Sequence, residues 1–207
     1  MYITYIIIAI TSGVSLYALK NQDLLAKLLM NPYVAQKRNE YHRFITSGFV
    51  HLDHAHLIFN MISLYFFGVA VEVVFGAYFG ELGNVYFILL YLLGIIASDI
   101  PSYLKNKNNP RYNSLGASGG VAAVIFAFII FRPLDDIYLY FAMPVPGFIL
   151  GTLYIIFSWY QGRKSNDNIN HDAHLYGALF GLLFCIVIYP ASVVNFFDQI
   201  RNWKVFS

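Results

Sequence analysis

Charge is what this sequence has least of. Only 12% of its 207 residues are Asp, Glu, Lys or Arg, about half the share of soluble domains, and the net charge is +2. With so small a balance, no Lys/Arg cluster and no zinc-finger spacing, the sequence argues against a nucleic-acid partner. Cysteine is nearly absent too: Cys185 stands alone inside an apolar run, so disulfides play no part and a small apolar side chain is the default reading. The N-terminus has neither a basic stretch nor a small-residue cleavage site, so residues 2–19 read as a retained helix rather than a leader. No recurrent metal-ligand motif appears.

What fills the chain instead is apolar sequence, 58% hydrophobic and 18% aromatic, with a mean hydropathy of +0.59. This is the composition of a multi-pass integral membrane protein. A crossing helix needs roughly 20 apolar residues, or somewhat fewer, and six runs qualify: residues 2–19, 54–75, 85–100, 118–131, 147–160 and 173–194. The reading is an all-α, six-transmembrane-helix bundle forming one domain over 1–207. The fourth and fifth runs are short, which suits helices that thin the bilayer or begin below its surface. Residues 20–50 mix Lys and Arg with Leu24, Leu25, Leu28 and Leu29. They read either as a partly interfacial segment broken at Asn31-Pro32 or as an ordinary loop. Residues 161–171 read as a polar cap over the nearby surface. Glu72 is placed at the far end of the second helix as an anchor or pairing group, and Pro146 in the first turn of the fifth.

Three polar features interrupt these runs. Leu115-Gly116-Ala117-Ser118-Gly119-Gly120 turns a polar segment into an apolar helix with Ser118 near its first residue. N–H groups there have no intrahelical partner and can bind a developing oxyanion, although one Ser in a Gly-rich turn also fits a plain tight turn. His51 to Asn60 opens the second helix, with Asp53 as N-cap and His56 and Asn60 on one face. An isolated Asn there could equally be interhelical glue. His174, Gly177, Ala178 and Gly181 form a small-residue stripe on the sixth helix, whose partner should be the fourth, with Gly119, Gly120, Ala122, Ala123 and Ala127. His174 alone fits packing and catalysis equally. Helices that alternate in direction bring the starts of the second, fourth and sixth to one membrane surface. A Ser beside a His there is the minimum for nucleophilic catalysis. No orienting Asp is apparent, since Asp172 points about 200° away from His174 on a helix.

At these residues the chain resembles the rhomboid intramembrane serine proteases. The match comprises His51-x4-His56-x3-Asn60, Gly116-Ala117-Ser118-Gly119 and Ala173-His174-x2-Gly177-x3-Gly181 on helices in the expected order. The resemblance implies Ser118 as nucleophile and His174 as general base and then acid. It implies His56, Asn60 and the Ser118 N–H as oxyanion donors, with Gly116, Gly119, His51, Gly177 and Gly181 in support. It implies transmembrane protein substrates, lipid surroundings, no cofactor, and a preference for small side chains beside the cut; the cell membrane is the expected location. Two positions depart from the family pattern. His42-Arg43 stands where Trp-Arg is common. Ala122 stands where many members carry an aromatic that stacks on the catalytic His, so something else must hold His174. The resemblance puts the site on the extracytoplasmic side, whereas Lys and Arg concentrate on the site side, leaving Arg132, Arg201 and Lys204 opposite.

Two other functions compete. A metal-binding or transport protein would use His51, His54, His56, His171 and His174 with Asp53 and Asp172, but it leaves Ser118 unexplained. A non-catalytic rhomboid-like binder of membrane proteins would be expected to lack Ser118 or His174.

Overall fold

Apolar runs placed in lipid must satisfy their backbone internally, and helices are the way a single segment does so. The structure, a computed structural model, describes residues 2–139, 142–164 and 170–203 and bears this out. Six long helices follow in the expected order: α1 (Ile3–Leu19), α5 (His54–Phe79), α6 (Leu82–Asn106), α7 (Ser118–Phe131), α8 (Gly147–Lys164) and α9 (His171–Ile188). Short helices α2 (Gln22–Leu28), α3 (Pro32–Arg38) and α4 (Arg43–Thr46) lie between α1 and α5, and α10 (Ala191–Arg201) follows α9. Among the described residues α5, α6 and α9 are long and apolar enough to cross a membrane, while α1 and α7 are apolar but shorter. Large side chains such as Phe59 and Val187 face outward, each 70% exposed, as expected where the solvent is lipid.

The core is built around α7, which touches α5, α6, α8, α9 and α10. Eleven of its 14 residues are buried, so it is apolar all round, without a polar face. Glycine decides its closest contact. A Cβ at Gly177 would collide with the Gly119 backbone, and one at Gly181 with the Ala123 carbonyl. The stripe on α9 therefore lies on the small-residue face of α7 as its spacing predicts, with both helices advancing together. Gly94 of α6 meets α7 similarly: a Cβ there would come 2.8 Å from the Ala123 Cβ.

Several boundaries differ from the sequence reading. The second helix runs on to Phe79 and stops at Gly80, whose φ of +59° suits glycine. Glu72 is thus inside the helix rather than at its end. Its pairing role is real: its carboxylate accepts the N–H groups of Ile3 (2.8 Å) and Thr4 (2.7 Å) and the Thr4 hydroxyl, capping α1. The third helix continues through Pro101 to Asn106. This extension is fastened to the start of α9 by Ser102–Asn170 hydrogen bonds and a 3.7 Å Lys105–Asp172 pair. The sixth run breaks at Tyr189-Pro190, so its last residues belong to the separate helix α10. Two short antiparallel strands, β1 (Asp136–Leu139) and β2 (Met143–Pro146), occupy what reads as loop, and Pro146 ends β2 instead of entering helix α8. Of the expected cap over 161–171, the first part continues α8 and His171 opens α9, while 165–169 lie outside the described residues.

Candidate active site

The Ser118 turn is assembled from outside itself. Gly116 donates its N–H to the Ser47 carbonyl at 2.9 Å, and Ala117 donates to His51 Nε2 at 3.3 Å. An accepting Nε2 leaves the proton of a neutral imidazole on Nδ1, where it points to Ser15 Oγ of α1 at 3.2 Å. Burial, reinforced by neighbouring His56 and opposed by Asp53, pushes His51 down to about 3, so the ring is neutral. The first residue of the His51-x4-His56-x3-Asn60 pattern is therefore a brace between α1 and the turn. Upstream, Met30 and Ser114 exchange backbone hydrogen bonds of 2.9 Å, tying the first long connection to the loop before Ser118. Asn31 donates to the Pro110 carbonyl (3.2 Å) and Asn113 Oδ1 (3.0 Å).

Ser118 is the first residue of α7, after Ala117 as N-cap. His56 and Gly116 face each other across the start of α5. Gly116 has φ +119°, and a Cβ on it would lie 2.6 Å from His56 Cε1 and 2.8 Å from Nε2. Asp53 caps α5 by accepting the His56 N–H at 2.7 Å. The His51 and His56 rings meet edge-on at 4.9 Å. Asn60, one turn below His56, is buried and donates to the His56 carbonyl at 2.9 Å. Gly119 backs onto Ser98, leaving no room for a side chain. His174 lies in the first turn of α9, one turn before Gly177, and Gly177 abuts Gly119, the residue after Ser118. Asp172 is turned toward Lys105. The starts of α5, α7 and α9 thus meet at one end of the bundle, as alternation requires.

Sequence reasoning left three further residues without a role. Asp99, read only as part of a helix end, is buried and accepts from the Ser47 hydroxyl at 3.1 Å and the Ser114 hydroxyl at 3.5 Å. Its presence inside an apolar helix was the available signal. Asp99, Ser98, Ser114, Ser118, Gly116 and Asn170 line a cavity of about 20 Å³, room for one water. Arg43, the partner left over from the missing Trp, is buried, paired with Glu40 at 2.6 Å and bonded to the Ala26 (2.9 Å) and Leu29 (2.7 Å) carbonyls. It closes the end of α2. Tyr154 of α8 stacks on His174, with centroids 6.4 Å apart and planes 25° from parallel. The metal reading loses its donor set: no group of three His, Cys, Asp or Glu residues able to hold an ion occurs among the described residues.

The Rhomboid domain model matches residues 38–191, most of the chain. The chain belongs to the rhomboid family. Similar proteins include RHOMBOID-like protein 12, mitochondrial, of Arabidopsis thaliana, 34% identical over 166 residues covering 76% of this chain and 49% of that protein. Rhomboid protease GlpG of Haemophilus influenzae is 27% identical over 170 residues, 79% of this chain and 78% of GlpG. Rhomboid protein 1, mitochondrial, of Saccharomyces cerevisiae is 31% identical over 162 residues, 76% of this chain and 43% of the yeast protein. The match thus spans about half the length of the plant and yeast rhomboids and most of the bacterial one. Family and apolar helices together make the chain a membrane protein, and the family includes serine proteases such as GlpG.

Proposed function

We propose that this rhomboid is an intramembrane serine endopeptidase that cuts peptide bonds in or beside transmembrane segments of other proteins. The observation that supports the reading is the Gly119–Gly177 backbone contact, between the residue after Ser118 in the first turn of α7 and the residue one turn after His174 on α9, with Gly116 packed on His56 next to that turn. Ser118 Oγ attacks the scissile carbonyl carbon while His174 takes its proton. The oxyanion is met by the Ser118 N–H, the His56 ring and the Asn60 amide, each donor being worth several kcal/mol in a dry site. The C–N bond breaks, His174 returns the proton to the leaving amine, and an acyl ester remains on Ser118. Water then attacks the ester with His174 again as base, releasing the new carboxyl end and Ser118. The cavity between Asp99 and Ser118 has room for that water beside the nucleophile.

The substrate helix must unwind to present its carbonyl, so Gly, Pro or small polar residues near the cut favour cleavage. The six long helices form one unit crossing the membrane, with residues 20–50 partly in the interface and the site open to the extracytoplasmic side. Part of the conflicting Lys/Arg bias is used up structurally: Arg43 is buried against Glu40 and Lys105 lies beside Asp172. The test is cleavage of a reporter transmembrane segment by purified protein in liposomes. The original cuts, Ser118→Ala and His174→Ala at equal folded yield do not, and a fluorophosphonate labels the original alone, since Ser118→Ala lacks the hydroxyl and His174→Ala lacks the base that activates it. Equal cleavage by all three proteins refutes the assignment.

A further inference from the structure

A general base must present one nitrogen to the nucleophile, and an imidazole on a first helical turn can rotate about both side-chain torsions unless something flat lies against it. On α7 the rhomboid resemblance implies such a surface at position 122, where this chain carries Ala122, buried and ending at a methyl group. The surface comes from another helix. Along α8 the buried residues are Gly147, Gly151 and Ser158, and Tyr154 stands between them on the same face. The glycines let that face lie close: a Cβ at Gly151 would come 3.0 Å from Ile129 and 3.4 Å from Phe126. Tyr154 then packs against the cluster of Ala122, Phe126 and Ala178, meets the Phe126 ring at 5.6 Å and lies near-parallel to His174, with centroids 6.4 Å apart and planes 25° apart, while the His171 ring stands edge-on to His174 at 6.1 Å. Ser158, one turn along on the same face, is buried. One turn away, Phe157 of the same helix packs edge-on against His171 at 5.9 Å. Both histidines opening α9 are thus covered by aromatic rings from α8.

We propose that Tyr154 is the positioning residue for His174, supplied by α8 in place of a side chain at position 122, so that the orientation of the base depends on α8 being docked. The proposal rests on the protease reading for its kinetic consequence and on geometry alone for the contact. Stacking needs a ring and not the hydroxyl. Tyr154→Phe keeps kcat within about threefold, whereas Tyr154→Ala lowers kcat about tenfold to a hundredfold with little change in KM. Adding Ala122→Tyr to Tyr154→Ala returns a ring to His174 from α7 and recovers activity, an outcome that repair of general packing by a single distant residue would not produce. Alongside, NMR of the His174 ring protons in uniformly ¹⁵N-histidine protein reads the contact without any substrate. The ring-current shift present in the original and in Tyr154→Phe disappears in Tyr154→Ala, with thermal unfolding as the folding control. Unchanged His174 shifts in folded Tyr154→Ala overturn the proposal. So does a kcat for Tyr154→Ala matching the original. If the original itself fails to cleave and to react with fluorophosphonate, the protease reading falls, while the NMR comparison still decides whether Tyr154 holds His174.

Discussion

Gly116 and Gly80 provide a controlled pair. Both hold positive φ, +119° and +59°, where an L side chain strains the backbone, at a cost of about 1–3 kcal/mol. They differ in what a side chain would meet. Nothing lies within 4 Å of a Cβ at Gly80, whereas one at Gly116 would sit 2.6 Å from His56 Cε1, too close for either group to stay in place. Gly80→Ala and Gly116→Ala should therefore share the backbone strain, while only Gly116→Ala adds a clash that pushes His56 or the Ser118 turn out of position. Loss of one oxyanion donor lowers the rate about a hundredfold, near 2.7 kcal/mol. Reporter cleavage compared at equal folded fraction, with thermal unfolding in detergent for each protein, separates the two effects. In a His56→Ala background the extra cost of Gly116→Ala should nearly vanish, because the group it displaces is already gone. Catalytic activity of Gly116→Ala equal to that of Gly80→Ala would refute the link between the turn and His56.

The buried His51 should make the fold acid-sensitive. Its folded pKa of about 3 lies below the ordinary histidine value of 6.5, so its contribution is intact above 6.5 and is lost as pH falls toward 3, where only the unfolded chain takes up the proton. From pH 8 to 5.5 this amounts to about 1.4 kcal/mol, and His51→Asn should flatten that part of the stability profile measured by denaturant titration. Glu72→Ala removes three hydrogen bonds from the start of α1 and should cost about 2–4 kcal/mol, with hydrogen exchange rising first in α1; uniform exchange across the bundle would contradict this. Gly181→Ala drives a methyl into the Ala123 carbonyl and should destabilise by about 1–3 kcal/mol. Gly13→Ala meets nothing within 4 Å and should gain roughly 0.5–1 kcal/mol from helix propensity. Equal melting shifts for the two would show that α7 and α9 are not in the contact described.

What could be read from the sequence was whatever depends on local pattern. Gly177 and Gly181 announce a close helix contact because only glycine permits it, and their spacing names the face. Ser118 announces a helix start because small and polar residues give way abruptly to apolar ones. Counting apolar residues carried the sixth run across Tyr189-Pro190, since a proline-led turn changes direction without changing hydropathy. The same counting stopped the third helix at Pro101, because it has no measure of the contacts with Asn170 and Asp172 that hold the extension in place. The β1–β2 pair has four-residue strands and two prolines, leaving no alternation long enough to recognise. Tyr154 escaped for a different reason: one aromatic among many has no meaning until the neighbouring helix is known to carry alanine opposite it.

The partners of the Ser118 turn show what the chain before it contributes. Ser118 follows a short segment whose N–H groups are held by Ser47 and His51, and His51 is backed by Ser15 of α1. The next loop outward is pinned by Met30 and Asn31. None of these groups need touch a substrate. Oxyanion stabilisation works only when donors are already aimed before charge develops, and a glycine-containing turn has little rigidity of its own. Rigidity therefore has to come from α1 and from residues 20–50, whose groups hold the turn through His51, Ser47 and Met30. On this argument α1, though far from Ser118 in sequence, sets the rate through the Ser15–His51 contact. Ser15→Ala should lower kcat more than it lowers the unfolding temperature would suggest when compared with Thr11→Ala, an equally buried change on the same helix. Parallel losses in both variants would mean that α1 contributes stability alone.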